Sequence, residues 1–154
     1  GKSALWERMR RFAKGDDGDN AIPLCPPSSR PSHCEVVYRT RKLSLLEMPG
    51  GIEKRHRWGV GAEMANALVY MIDSTDEMRL ELARHELSVL LDEHKEFLGK
   101  RILILFTKAE ALTEPEMKKL EERLDTSSWR TLPLALGNSS HVKAVMDFCA
   151  GFKA

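Results

Sequence analysis

Leu5, Met9 and Phe12 recur at helical spacing within the stretch from Ala4 to Ala13, which predicts an opening helix with Gly1, Lys2 and Ser3 at its start. The apolar rhythm then stops. From Gly15 to His33 the chain runs through GDDGDN and PPSSRPS, which offer no periodic apolar face and predict a long loop. A loop of that length is either functional or disordered. Cys34 to Arg39 and Lys42 to Met48 predict two strands joined by a short Arg-Thr-Arg connection, a hairpin that ends at Pro49-Gly50-Gly51. Ala67 to Asp73 (ALVYMID) and Arg101 to Thr107 (RILILFT) are continuous apolar runs of strand length, as expected of strands buried on both faces of a parallel sheet.

Between those runs, Ser74-Thr-Asp-Glu77 has the form of a capping box. Leu80, Ala83, Leu87, Leu90 and Leu91 then form one apolar helical face. Thr113-Glu-Pro-Glu116 opens a second, shorter helix to about Leu124, a strand comes next near Thr131 to Ala135, and Ser139 to Phe152 closes the chain as a helix. Strands alternating with helices predict an α/β fold, a mainly parallel sheet with helices on both faces. The length of 154 residues fits a single domain spanning residues 1–154.

Composition narrows the function little. With 31% charged residues and a formal net charge of +1, no electrostatic excess points to nucleic acid or to an anionic membrane. The three cysteines, Cys25, Cys34 and Cys149, are odd in number and lack zinc-type spacing, which predicts a reducing, cytoplasmic setting. No apolar run approaches the roughly 18 to 20 residues that span a bilayer, and Gly1 does not open a myristoylation pattern. Membrane contact is expected only through a segment outside this chain, and the expected state is a monomer.

The chemistry begins at residue 1. Gly1-Lys2-Ser3 is the tail of G-x-x-x-x-G-K-[ST], in which backbone N–H groups and a helix N-terminus hold phosphates, the Lys reaches the β and γ phosphates, and the hydroxyl binds Mg²⁺. A tripeptide alone is weak; the order of the downstream motifs strengthens it. Glu47-Met-Pro-Gly50, Asp73 and Thr107-Lys108-Ala-Glu110 each fall at the C-terminal end of a predicted strand, the edge where α/β sheets bind ligands. A phosphate loop links a central strand to a helix, so the first strand and the start of the loop are expected upstream of Gly1. The alternative is that Gly-Lys-Ser is accidental.

From Leu45 to Asp76 the chain (LLEMPGGIEKRHRWGVGAEMANALVYMIDSTD) resembles the ADP-ribosylation-factor-like (Arf-like) branch of small GTPases: a D-x-G-G turn, a Trp in switch II, and a strand ending in V-D-S-x-D. The resemblance implies a P-loop small-GTPase fold, GTP or GDP with Mg²⁺ as ligands, and protein effectors and regulators that bind the switch regions, near residues 28–61. It implies work in intracellular and ciliary traffic. Carried over position by position, Gly1, Lys2 and Gly50 contact phosphates, Ser3 and Glu47 hold Mg²⁺ with Ser28 as the switch I ligand, and Thr107, Lys108, Glu110, Leu136 and Gly137 face the base.

Several of those positions depart from the family pattern. Glu47 replaces an Asp and adds a methylene; Pro49 replaces a Gly, which fixes φ and removes an N–H. Gly51 stands where related GTPases carry the Gln that orients water, so intrinsic hydrolysis is expected to be very slow. Thr107 and Glu110 replace Asn and Asp of N-K-x-D, which puts guanine preference in question because an unmade buried hydrogen bond is costly. The aromatic effector triad of the family falls on Pro31, Leu46 and Gly61. Two readings stay open at this stage: a GTP-controlled binding switch, and a pseudo-GTPase scaffold that binds partners independently of nucleotide. A P-loop kinase or ATPase gives the Lys108 segment no role.

Overall fold

The computed structural model describes residues 1–16, 25, 30–97, 99–109, 112–126 and 128–152. The chain forms two compact units, Gly1–Gly61 with Leu136–Ala154, and Ala62–Ala135.

In the first unit, helix α1 spans Lys2–Phe12, and strands β1 (Ser32–Tyr38) and β2 (Arg41–Glu47) pair antiparallel with Ser32 opposite Glu47 and Tyr38 opposite Arg41. The register leaves Arg39 and Thr40 as a tight connection, and Arg39 takes a left-handed φ of 53°, the conformation that lets so short a turn match the twist of the strands. Helix α5 (Ser139–Ala150) ends at Gly151 in the left-handed conformation (φ 72°), the C-terminal stop for which glycine is suited. Leu5 and Met9 of α1, Val36 and Tyr38 of β1, and Val142, Val145 and Met146 of α5 are all buried in this unit. A 3-10 segment at Ile52–Arg57 leads into helix α2, Trp58–Met64. The sequence pattern missed both, because Trp-Gly-Val-Gly-Ala carries two glycines and too few periodic positions to signal a helix.

The second unit is a parallel sheet in the order β3 (Ala67–Asp73), β4 (Arg101–Thr107), β5 (Arg130–Leu134). Its centre, β4, is buried from Ile102 to Phe106, as the unbroken apolar run required. Helices α3 (Glu77–Glu93) and α4 (Glu114–Arg123) contribute Leu80, Leu87 and Leu120 to a core with Ile72, Ile102, Ile104, Phe106, Ala109 and Leu124. The α4 start has the capping box read from the sequence: the Thr113 N–H donates to Glu116 Oε2 at 2.8 Å, and its hydroxyl to the same oxygen at 2.7 Å. The α3 start differs from expectation. Asp76 is the cap, accepting from the Arg79 N–H at 3.2 Å, because Ser74 is committed elsewhere, to the end of β4.

No helix among the described residues is long and apolar enough to cross a membrane. The α/β architecture with a parallel sheet and flanking helices is the one expected from the sequence.

Candidate functional site

In the first unit the residues at the start of α1 meet the residues at the end of β2. Gly1 precedes the helix, and its carbonyl accepts the Leu5 N–H at 2.9 Å, so the N–H groups of the first turn have no partner within the helix and form its positive end. The Ser3 hydroxyl donates to Glu47 Oε1 at 2.5 Å. Glu47, the last residue of β2, is buried. Lys2 lies against the backbone of Gly50: a Cβ on Gly50 would collide with the lysine Nζ. Lys2, Ser3, Glu47 and Gly50 are therefore one cluster, although 44 residues separate Ser3 from Glu47.

The turn beyond them is pinned. Trp58 Nε1 donates to the Pro49 carbonyl at 2.7 Å, and the Arg55 guanidinium lies 5.5 Å from the centre of the Trp58 ring. Trp58 is thus a half-buried brace for the turn rather than a core residue. Gly51 has φ −63° and ψ 138°, ordinary extended backbone that any residue adopts, and almost open space around it. Gly61 is different, since a Cβ there would press on Met48 Sδ at 3.1 Å. His56 and Arg57 are exposed, as are Ile52 and Val60.

In the second unit the ends of β3 and β4 are aligned, Asp73 opposite Thr107. The Thr107 hydroxyl donates to the Ile72 carbonyl at 3.2 Å, and the Thr107 carbonyl accepts from the Ser74 N–H at 3.1 Å and the Ser74 hydroxyl at 2.9 Å. Lys108 then takes a left-handed φ of 58° and brings its Nζ to 2.7 Å from Asp73 Oδ2. Asp73 Oδ1 accepts from the Thr75 N–H and hydroxyl. Burial pushes the Asp73 carboxyl up, but the bonds from Lys108 and Thr75 outweigh it and hold it below its ordinary value. The same contact raises the Lys108 ammonium. Sequence reasoning placed Asp73 at a strand end and missed this pairing; the left-handed backbone at Lys108, which aims its side chain back, leaves no mark in the residue pattern.

Leu136 and Gly137 form the turn before α5 in the first unit, and the Leu136 carbonyl faces Arg8 Nε at 3.4 Å. Arg8 was not expected at all from the apolar spacing of α1. Two expected residues, Ser28 for the metal and Glu110 for the base, lie outside the described residues. Among the described residues no group of three or more His, Cys, Asp or Glu side chains is gathered to hold a metal by itself.

Comparison with known proteins matches the family model described as "ADP-ribosylation factor family" to residues 12–151. That match begins downstream of Gly1-Lys2-Ser3, so the phosphate-loop reading rests on those residues and their geometry. An ADP-ribosylation factor-like protein 2 of Dictyostelium discoideum is 30% identical over 102 residues, 63% of this chain and 55% of that protein. The protein of the same name in Drosophila melanogaster is 30% identical over 111 residues, 69% of this chain and 60% of its own length. The chain thus spans little more than half the length of these relatives. Among solved structures, the Arl6 BBS3 small GTPase of Trypanosoma brucei, determined with the nucleotide analogue GppNp, shares the fold with a TM-score of 0.75 at 15% identity, covering 98% of this chain and 89% of that one.

Proposed function

The chain belongs to the ADP-ribosylation factor family, and from that premise we propose that it is a guanine-nucleotide-binding protein that acts as a molecular switch or binding module and hydrolyses GTP slowly if at all. The observation that carries the proposal is the cluster at the start of α1, where Lys2 sits against Gly50 and Ser3 against Glu47. An ammonium set beside the first-turn N–H groups of a helix and close against the Gly50 backbone is what a polyphosphate needs. The relative solved with GppNp points the same way.

Ser3 and Glu47 fit a magnesium ion and would hold it, each presenting a hard oxygen donor at the same place. The added methylene of Glu47 is compatible with this role, since the longer acid reaches the Ser3 hydroxyl directly. Bound there, Mg²⁺ would neutralise phosphate charge. In the second unit, Lys108, with Thr107 and Glu110, is the proposed base segment, and Leu136 and Gly137 offer backbone amides to the base oxygen.

Slow hydrolysis rests on Gly51, which has no side chain to orient water. Within the family, Glu47, the enlarged proline-rich segment before the hairpin and the phrase Ile104-Leu-Phe-Thr-Lys108 are most like ADP-ribosylation factor-like protein 16. Effectors and regulators at the switch segments, a cytoplasmic and ciliary location, and a role in traffic complete the proposal. The scaffold alternative is favoured by one observation, the Trp58 brace on a proline turn, which would damp rearrangement between nucleotide states.

Extraction of nucleotide from the purified protein, followed by chromatography, tests the proposal. Copurified GDP or GTP at a large fraction of one equivalent, with negligible turnover of added GTP, is expected. Protein that carries no nucleotide and binds none when Mg²⁺ and GTP are supplied would leave only the scaffold.

A further inference from the structure

A buried arginine on α1 reaches the turn before α5. Arg8 is 1% exposed, and among the described residues its fork donates from Nε to the Leu136 carbonyl at 3.4 Å, from Nη1 to the Asp16 carbonyl at 2.8 Å, and from Nη2 to the Ser139 hydroxyl at 3.0 Å. Burying a guanidinium is costly, and it is tolerated where the planar fork finds fixed acceptors. Here the acceptors come from the end of α1's own segment and from both sides of Gly137. Asn138 fixes the far side again, its Oδ1 accepting from the Ser140 N–H at 2.9 Å and the Ser140 hydroxyl at 2.6 Å.

We propose that Arg8 is a positioning residue for base selection: it sets the peptide between Leu136 and Gly137 so that the Gly137 N–H is presented to the nucleotide base. In a trans peptide the carbonyl and the following N–H point to opposite sides of the chain. Drawing the Leu136 carbonyl toward Arg8 therefore turns the Gly137 N–H away from α1 and holds it there without a rotation to lose on binding. An oriented backbone donor accepts no hydrogen from an exocyclic amine, so it favours a base with a carbonyl oxygen at that place over one with an amino group. The inference rests on the proposal that Leu136 and Gly137 face the base.

The test compares GDP with ADP, which share ribose and diphosphate and differ at the base, by calorimetric titration of the full chain in Mg²⁺. In Arg8→Leu, GDP affinity is expected to fall roughly tenfold, the loss expected for about one hydrogen bond. ADP affinity should be unchanged, so the GDP to ADP ratio falls by the same factor. Arg8→Lys, which keeps one donor, should recover part of the ratio. Should Arg8→Leu fail to fold, Ser139→Ala removes one edge of the fork from the surface side and is expected to lower the ratio about threefold by the same reasoning. Equal losses for GDP and ADP, or an unchanged ratio in Arg8→Leu and Ser139→Ala, would overturn the inference while leaving nucleotide binding intact. Wild-type protein that binds GDP no better than ADP would overturn the base reading and this inference together.

Discussion

Replacing Asp147 by Asn removes one negative charge where the β1–β2 hairpin meets α5. Asp147 is 6% exposed; its Oδ1 accepts from the Tyr38 hydroxyl at 2.8 Å and lies 3.1 Å from Arg39 Nη2, while Oδ2 lies 2.8 Å from Lys143 Nζ. Arg39 and Lys143 are about half exposed, so each can rehydrate when the anion goes, and their share of the loss is small. The Tyr38 hydroxyl is buried and keeps a weaker, neutral acceptor. A hydrogen bond to a charged group contributes about 1.5–3 kcal/mol, so Asp147→Asn should destabilise the protein by about 2 kcal/mol at pH 7. Burial pushes the Asp147 carboxyl up, but its bonds to Lys143 and Tyr38 and the charges of Lys143 and Arg39 hold it below the ordinary value. A carboxyl with a depressed folded pKa stabilises the fold above its unfolded pKa and loses that contribution as pH falls through the folded value. The difference between wild type and Asp147→Asn should therefore be full near neutrality and close in acid. Urea unfolding of both proteins at a series of pH values measures it. A gap that stays constant from pH 7 to pH 3 would refute the argument, since the charge would then not be its source.

Gly50→Ala should weaken binding of GTP at least tenfold with little loss of stability, because the new Cβ takes the space of the Lys2 Nζ, whose flexible stem moves aside; filter binding of labelled nucleotide reads the first and thermal unfolding the second. Gly51→Gln should fold normally, its backbone being ordinary and its surroundings open. Single-turnover hydrolysis should rise severalfold in that variant, and an unchanged rate would show that the missing glutamine is not what limits the chemistry. Phe106→Ala, in the fully buried centre of β4, should cost about 3–5 kcal/mol in chemical denaturation, and a loss under 1 kcal/mol would mean that the core of the second unit closes over the cavity.

The fold was largely legible from periodicity. The run RILILFT is uniform enough to declare a strand covered on both faces, and Thr113 to Glu116 declares its helix start. The cap of α3 was misplaced by two residues because Ser74 and Asp76 are equally good caps in isolation, and only the neighbouring strand end, which takes the Ser74 hydroxyl, decides between them. That Lys2, Ser3, Glu47 and Gly50 gather was legible because a short ordered set of residue types names them. What the sequence hid were contacts made by geometry that residue type does not encode: the left-handed Lys108 reaching Asp73, Trp58 bracing the Pro49 carbonyl, and Arg8 buried against backbone oxygens. A polar residue one place beside Met9 in an amphipathic helix reads as solvated until the turn it holds is known.

Titration of a fluorescent GTP analogue into wild-type protein and into Lys2→Ala, both in excess Mg²⁺, tests the central claim most directly. Saturable one-to-one binding to the wild type, displaced by unlabelled GTP and weakened at least tenfold by Lys2→Ala, is the predicted result. Equal affinities for the two proteins, or no saturable binding to either, would contradict it.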